Sequence, residues 1–171
     1  QWMGSWAVVM GSPHDLGYQE AGYDLPPLRV HEIIADSEEP MTEPMTLTQR
    51  RQARRDTLEQ RCRAAAELVN GSDEQWLVWC DLNDESTALA SMIDGAQEVR
   101  GSDKPENKTG RMLAFSCGLL KCLVTKPTIA GFGMNWQQCS KMVFVGLSDS
   151  YEQYYQAVRR CWRFGQKRPV D

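Results

Sequence analysis

The end of the chain, residues 150–171, reads SYEQYYQAVRRCWRFGQKRPVD, and this stretch decides the fold. Successive residues of an α-helix are rotated by about 100°, so residues spaced i, i+4 and i+7 share a narrow face. Here that face carries Gln156, Arg160 and Arg163. The nearly opposite face carries an apolar stripe, formed by Tyr151, Tyr155, Val158 and Trp162. The pattern predicts a helix over 150–164 that buries the aromatic stripe and directs both arginines outward.

Two arginines on one helix face suit the binding of phosphate. A guanidinium group is planar, donates two parallel hydrogen bonds and stays charged at neutral pH. Arginines at this spacing also occur on ordinary surface helices, and the spacing alone does not separate the two interpretations. Asp149 or Ser150 is placed to cap the first turn of the helix.

Upstream of this helix, short apolar runs alternate with helical patterns. Helices are predicted at 84–93 and 107–117, and strands at 75–80, 97–100, 121–125 and 141–147. Strands that alternate with helices are typical of a parallel sheet with helices on both faces. The predicted fold class is therefore α/β.

The N-terminal part of the chain has a different character. Residues 1–27 are rich in Gly, Pro and Tyr, which predicts loops and one short strand at 6–10. A second strand is predicted at 28–35. Residues 36–45 (DSEEPMTEPM) are acidic and contain prolines, as expected of a linker.

A long basic helix is predicted to follow this linker. Its cap is Thr46 or Thr48, and its apolar residues recur at helical spacing as far as Val69. Asn70-Gly71 then provides a stop that is common at helix C-termini.

The composition is that of an ordinary globular protein, with 42% hydrophobic and 25% charged residues. No apolar run is long enough for a membrane span, and no signal-peptide pattern is present. None of the six cysteines forms a CxxC pair, and both histidines lie far from them, which argues against a zinc site or any other metal site. We expect a cytoplasmic protein with reduced thiols.

Charge is distributed unevenly along the chain. The net charge is −4, but residues 46–70 and 141–171 each contain six bases and three acids. These two basic segments would face phosphate groups in a nucleic-acid-binding protein, or they are solvated helix faces.

The residues around Arg160 resemble motif VI of Swi/Snf-type helicases, which belong to superfamily 2. The match covers Gln156-Ala157-x-x-Arg160-x-x-Arg163-x-Gly165-Gln166 and continues into Lys167-Arg168-Pro169-Val170. The His-Arg-x-Gly-Arg core of the RNA-directed DEAD-box branch is absent. The resemblance therefore implies a DNA-directed motor.

A second match lies upstream, in the order expected of the same family. Leu123-Val124-Thr125-Lys126 and then Ala130-Gly131-Phe132-Gly133-Met134-Asn135-Trp136 resemble motif V. Here Pro127-Thr128-Ile129 replaces a shorter stretch of the family pattern. The glycines suit a loop that approaches a ligand closely or takes positive φ values, and Asn135 would orient that loop.

Weaker matches complete the resemblance over residues 72–171. Trp76–Cys80 resembles the motif IV strand, and Arg100-Gly101 with the later Arg111–Phe115 resembles the next strand and helix. The resemblance implies a RecA-like C-terminal helicase lobe over 72–171, shortened at its C-terminal end. Residues 1–45 would then be an interlobe linker and residues 46–71 the long helix. A compact lobe of this kind is more typical of a phage or bacterial enzyme than of a chromatin remodeller.

In this family, ATP with Mg²⁺ binds between two RecA-like lobes. The sequence contains neither a GxxxxGK[ST] loop nor an acidic DExH/DExD box, which belong to the first lobe, so the chain alone is not expected to hydrolyse ATP. The resemblance implies that Arg160 and Arg163 are arginine fingers and that Gln156 helps to orient them or senses the nucleotide.

The resemblance also assigns binding roles. The residues implied at the nucleotide are Gly131, Gly133, Asn135, Gly165 and Gln166. Thr125 and Lys126 would contact DNA backbone phosphates, and Trp136 is a candidate for stacking on a base.

Two alternatives stay open from the sequence. One is a non-catalytic helicase-like module that binds nucleic acid or a partner protein, and the intact spacing of Arg160 and Arg163 argues against it. The other is an unrelated nucleotide-binding α/β protein, which two motifs in the family order disfavour. The sequence does not distinguish unwinding of strands from translocation on duplex DNA.

Overall fold

The computed structural model describes residues 13–18, 24–35, 46–131 and 133–171. The predicted strand at 6–10 and the linker at 36–45 lie outside the described residues. A short 3-10 helix at Pro13–Leu16 precedes the main body of the structure.

A four-stranded parallel sheet forms the centre of the molecule. Its strands are β1 (Trp76–Trp79), β2 (Gln97–Glu98), β3 (Cys122–Thr125) and β4 (Lys141–Phe144), in the spatial order β2-β3-β1-β4. β1 pairs in parallel with β3 on one side and with β4 on the other. The predicted α/β class with a parallel sheet is confirmed.

Six α-helices are found among the described residues. They are α1 (Leu47–Asp56), α2 (Leu58–Asn70), α3 (Asn83–Met92), α4 (Pro105–Ser116), α5 (Pro127–Ala130) and α6 (Tyr151–Val158). The one-turn helix α5 was not predicted, although a proline at the first helical position favours such a start. None of these helices combines the length and apolar character of a membrane span.

The core has two halves, one on each face of the sheet. Side chains of successive strand residues point to opposite faces, so Val78 of β1 packs with α2 and α3, whereas Leu77 and Trp79 pack with α4 and α6. All four residues of β1 are buried, as expected of a central strand covered on both faces. Helix α2 contributes Cys62 and Val69 to the first half and is thus part of the domain core.

The predicted single long helix is wrong, because the helix breaks at Thr57. Thr46 caps α1 in a capping box with Gln49, and α1 ends at Asp56 before α2 begins at Leu58. The Thr57 hydroxyl donates a 2.7 Å hydrogen bond to the Ala53 carbonyl oxygen. A threonine bonded back to the preceding turn commonly bends a helix.

A buried ion pair holds the break in place. The Arg61 guanidinium donates to the Glu85 carboxylate at 2.7 Å and to the carbonyl oxygens of Arg54 and Val145. The Glu85 side chain is 1% exposed and also accepts the backbone N–H of Leu82. Arg61 therefore ties the end of α1 to α3 and to the loop after β4.

The predicted strand at 28–35 is reduced to one bridge, between Leu28 and Val170. The Arg29 N–H donates to the Val170 carbonyl oxygen at 2.8 Å, and the Val170 N–H donates to that of Pro27 at 3.0 Å. The rest of this segment is exposed and has no strand partner among the described residues.

Candidate functional site

Helix α6 is shorter than the sequence predicts. Ser150 caps it, accepting the Gln153 N–H, but the helix ends at Val158 instead of continuing to residue 164. Beyond Val158 the chain forms turns, and the Arg160 carbonyl oxygen accepts the Trp136 N–H at 2.9 Å. This main-chain hydrogen bond joins the turn after α6 to the loop that contains Trp136.

The shortened helix reverses the predicted orientation of its faces. Tyr151 is 77% exposed and Tyr155 is 43% exposed, whereas Arg160 is only 8% exposed. The expectation of a buried aromatic stripe with outward arginines is therefore wrong for Tyr151, Tyr155 and Arg160. Val158, a member of the predicted stripe, is buried as expected, and it forms the buried contact of α6 together with Ala157.

Arg160 is held by three hydrogen bonds. Its Nη1 donates to the Met134 carbonyl oxygen at 2.9 Å, and its Nε donates to the Gln156 carbonyl oxygen at 3.0 Å. Its Nη2 donates to the Gln156 side-chain Oε1 at 3.3 Å. The predicted grouping of Gln156 with Arg160 is thus present, and Gln156 orients the guanidinium.

Arg163 approaches the same carbonyl oxygen. Its Nη1 lies 3.5 Å from the Met134 oxygen, while its Nε is buried and has no hydrogen-bond partner among the described residues. Both guanidinium groups therefore converge on one backbone oxygen, that of Met134. A buried N–H without an acceptor is unfavourable, and among the described residues the buried indole N–H groups of Trp76 and Trp79 share this state with the Arg163 Nε.

The arginine pair is not neutralised by acidic residues. Neither Arg160 nor Arg163 forms an ion pair with any residue that the structure describes. Burial lowers the pKa of Arg160, and the positive charges of Arg163 and Arg159 lower it further. The group remains charged, since an arginine pKa lies far above neutral pH. The result is a concentrated positive potential suited to a phosphate group.

The loop that supplies the Met134 carbonyl has a constrained backbone. Gly131 follows α5 so closely that a Cβ atom would lie 2.2 Å from the Pro127 carbonyl oxygen. Gly133 has φ +78°, a value that glycine adopts without strain. Asn135 is exposed on the same loop. Both glycines thus occupy positions that favour glycine, as predicted. The close approach at Gly131, however, is to the Pro127 backbone and not to a ligand.

Gly165 and Gln166 follow the arginines along the chain, and Gly165 is exposed whereas Gln166 is buried. The Gln166 side chain is 7% exposed and donates to the carbonyl oxygens of Cys139 and Cys161 at 3.0 and 3.3 Å. Its Oε1 accepts the backbone N–H groups of Lys167 and Arg168. With these bonds in place, Gln166 fixes the turn after Arg163 and has little capacity left for a nucleotide.

The residues predicted to contact nucleic acid divide into two groups. Thr125 is fully buried and its hydroxyl donates to the Val99 carbonyl oxygen at 3.2 Å. Trp136 is also fully buried: its indole N–H donates to Ser116, and Phe115 packs edge-on against it. Lys126 is partly exposed at the end of β3.

Trp136 therefore offers no ring face to a nucleotide base, and in this structure it serves as a core residue. The Thr125 hydroxyl is likewise occupied inside the protein. Of the three residues predicted at the nucleic acid, Lys126 alone has a side chain that reaches solvent.

The fold is that of a helicase C-terminal lobe. The family "Helicase conserved C-terminal domain" matches residues 58–165, which is more than half of the chain. The chain belongs to this family. No curated protein sequence is significantly similar to the chain.

Solved structures share the fold at low sequence identity. The C-terminal part of the Fun30 ATPase domain is 18% identical, with a TM-score of 0.54 over 68% of this chain and 38% of that one. The C-terminal domain of the DEAD-box protein Dbp5 is 15% identical, with a TM-score of 0.53 over 64% and 67%. T4 UvsW is 16% identical, with a TM-score of 0.54 over 67% and 25%. The chain thus spans about two fifths of the Fun30 structure and about a quarter of UvsW.

Proposed function

We propose that this chain is the second lobe of an ATP-dependent DNA translocase of Swi/Snf type, and that it supplies arginine fingers to an ATP site completed by a first lobe. The observation that carries the proposal is the convergence of Arg160 and Arg163 on the Met134 carbonyl oxygen without a neighbouring carboxylate among the described residues. The order of motifs V and VI in the sequence supports it.

The two arginines have different tasks in this proposal. Arg160 uses three of its five N–H donors on Met134 and Gln156, so it holds the loop and contributes charge from a fixed position. Arg163 has one long bond and an unpaired Nε, so it turns to the transferred phosphoryl group when the lobes close. Guanidinium donors of this kind stabilise the charge that develops on the phosphoryl oxygens in the transition state.

The remaining ligands of the nucleotide come from the first lobe. Mg²⁺ would neutralise the phosphate oxygens there. Among the residues that the structure describes, no cluster of three acidic, histidine or cysteine side chains could hold a metal ion. On the nucleic-acid side, Lys126 is the candidate for a backbone-phosphate contact, which positions the duplex without reading its sequence.

The test is ATP hydrolysis by the complete polypeptide that carries this lobe, measured with and without duplex DNA. Arg163→Ala should lower kcat by roughly 10³-fold or more with a small change in KM, because the finger acts in the transition state. The matched control is Arg159→Ala, which removes a neighbouring arginine that stacks on Trp162 at 5.2 Å instead. ATP hydrolysis at the wild-type rate by Arg163→Ala would contradict the proposal.

The purified 171-residue chain provides a second check. It should not turn over ATP, because an arginine finger cannot bind the nucleotide and its metal by itself. Turnover that persists in the Arg160→Ala chain would show that the ATP site lies elsewhere. Single-strand displacement, measured beside translocation on intact duplex, then separates an unwinding enzyme from a translocase.

A further inference from the structure

Helix α1 is an exposed basic helix that the function proposed above does not use. It spans Leu47–Asp56, buries none of its residues and lies outside the region matched by the helicase family. Four of its ten residues are arginines, at positions 50, 51, 54 and 55. A helix without a buried apolar face is not held by core packing, so other contacts must place it.

Arg54 is the arginine that attaches α1 to the body of the lobe. It donates to Asp149 at 2.9 Å and lies 3.8 Å from Asp81. Asp81 follows β1, and Asp149 lies beyond the end of β4. Together with the clamp from Arg61 on the Arg54 carbonyl oxygen, these contacts hold α1 across the carboxyl ends of two strands.

The other three arginines are not used inside the protein. Arg50, Arg51 and Arg55 are exposed and form no ion pair with any residue that the structure describes. The only acidic residue of α1, Asp56, accepts a hydrogen bond from Gln52 at 2.8 Å. Residues four apart on a helix have Cβ atoms about 5–6 Å apart, so Arg51 and Arg55 form a continuous positive stripe.

Lys126 lies at the same edge of the sheet. It follows β3, which is the neighbour of β1, and the Cys80 N–H at the end of β1 donates to the Thr125 carbonyl oxygen at 3.0 Å. Neighbouring strands are about 4.8 Å apart. Ligands of open α/β sheets bind outside the carboxyl ends of the strands. The exposed cations of α1 and Lys126 therefore border one surface at the ligand-binding edge.

We propose that Arg50, Arg51 and Arg55 of α1 bind the phosphate backbone of a nucleic acid that runs along this edge of the lobe. An acidic protein partner is disfavoured because Leu47 is the one large apolar side chain of α1, which is too little for the apolar centre of a protein interface. Phosphate binding needs charge alone, and each neutralised phosphate releases counterions. The inference extends the nucleic-acid side of the proposed function, but it does not depend on ATP hydrolysis.

The experiment is equilibrium binding of a fluorescent 20-base-pair DNA duplex to the protein without nucleotide, over a range of salt concentrations. The variant replaces Arg50, Arg51 and Arg55 by glutamine. Its slope of log affinity against log salt should be shallower than the wild-type slope by roughly 2–3, since each duplex phosphate contact contributes about 0.9. The matched control is Arg63→Gln, an exposed arginine of α2 that pairs with Glu59 at 2.6 Å and should leave the slope unchanged.

The outcomes separate this inference from the proposed function. A normal slope in the triple variant, or an equal change in Arg63→Gln, would overturn the role of α1. Loss of binding to polyglutamate with unchanged DNA binding would assign the arginines to an acidic protein and also overturn it. If Arg163→Ala retained full ATPase activity while the triple variant lost its salt slope, the ATP proposal would fail and the role of α1 would stand. Circular dichroism of the triple variant checks that α1 stays helical.

Discussion

Two regions of this chain carry the same charge and use it in opposite ways. Residues 46–70 and 141–171 each contain six bases and three acids. In the first region, α1 displays arginines on a surface that buries nothing. In the second, the turn after α6 folds Arg160 against the backbone until 8% of it remains exposed.

The difference shows that composition alone does not determine what a basic segment does. Backbone acceptors make the difference in this chain, because the carbonyl oxygens of Met134 and Gln156 accept hydrogen bonds from Arg160 and keep it buried. The side chains of Arg50, Arg51 and Arg55 have no hydrogen-bond acceptor of this kind among the described residues. A desolvated, oriented guanidinium suits charge stabilisation in a closed site, whereas a solvated one suits reversible contact with a polyanion.

The largest effect on stability is expected from removing the buried arginine. Arg160→Ala deletes three hydrogen bonds and leaves the Met134 carbonyl oxygen with only a weak partner, so the free energy of unfolding should fall by about 2–4 kcal/mol. Arg55→Ala on α1 should change it by less than about 0.5 kcal/mol. Urea denaturation of both variants measures the contrast, and equal losses would remove the distinction between the two regions.

A smaller effect is expected from stiffening the turn that follows Arg163. Gly165 has φ +91°, and a Cβ atom there would lie 2.8 Å from the Gln137 side chain. Gly165→Ala should therefore cost about 1–3 kcal/mol, in line with the strain of a non-glycine residue at such a φ. Gly110→Ala is the control, because that glycine lies within α4 in open space and its replacement should be neutral or stabilising by up to about 1 kcal/mol. Urea denaturation measures the free energy of unfolding of both variants. A Gly165→Ala protein as stable as wild type would show that the turn adjusts to the added Cβ atom without strain.

A local effect with little global cost is expected where α1 attaches to the lobe. Arg54→Ala removes ion pairs whose members are partly exposed, and such pairs contribute about 0.2–1 kcal/mol. Amide hydrogen exchange in α1 should accelerate, while exchange in α6 stays the same. Arg63→Ala removes an ion pair within α2 alone and should leave α1 unchanged. Unaltered exchange in α1 of the Arg54 variant would mean that other contacts hold this helix.

Thiol labelling gives the least invasive comparison. Burial raises the pKa of Cys62 to about 11 and the pKa values of Cys80 and Cys122 to about 12, so these thiols stay protonated and unreactive at pH 8. Cys161, beside the arginine site, is fully buried as well, whereas Cys117 is exposed.

An aromatic disulfide reagent at pH 8 should therefore label about one thiol rapidly in the native protein. In a Cys117→Ser background, Arg55→Cys should restore one rapidly labelled thiol, because position 55 is exposed. Slow labelling of that cysteine would show that α1 is covered. Rapid labelling of Cys161, identified by peptide mapping, would instead show that the arginine turn opens readily.

The raised pKa values of these thiols also determine how the stability of the protein changes with pH. An unfolded thiol ionises near its ordinary pKa of 9.0, while these three stay protonated in the folded state up to pH 11–12. Above pH 9 the unfolded state therefore loses protons first, and unfolding becomes more favourable as the pH rises toward these values. The loss of stability belongs to the alkaline window from about pH 9 to 12.

Much of the fold follows from the sequence, because strand and helix patterns depend on local periodicity. β1, β3 and β4 and the helices α3 and α4 lie within a few residues of their predicted bounds. The break at Thr57 was missed because a threonine inside a helix is a weak signal by itself, and Arg61, which holds the break in place, reaches Glu85 across the fold. No local pattern records such a contact.

The candidate site was predicted less completely than the fold. Sequence spacing grouped Gln156 with Arg160, and their contact is present. The helical wheel failed beyond Val158, because the chain forms turns there and residues 159–164 do not keep helical spacing. Trp136, which was predicted at the nucleic acid, is instead buried against Trp79 and Phe115.

The acceptor shared by Arg160 and Arg163 is a main-chain oxygen, and this has a consequence for how the lobe tolerates change. Any residue at position 134 presents the same carbonyl group, so substitution of Met134 leaves the acceptor intact. A comparison of side chains among related proteins would therefore not reveal the contact between the Met134 carbonyl oxygen and the two arginines. The contact can be weakened directly by replacing the peptide bond after Met134 with an ester, because an ester carbonyl oxygen is a weaker hydrogen-bond acceptor than an amide one.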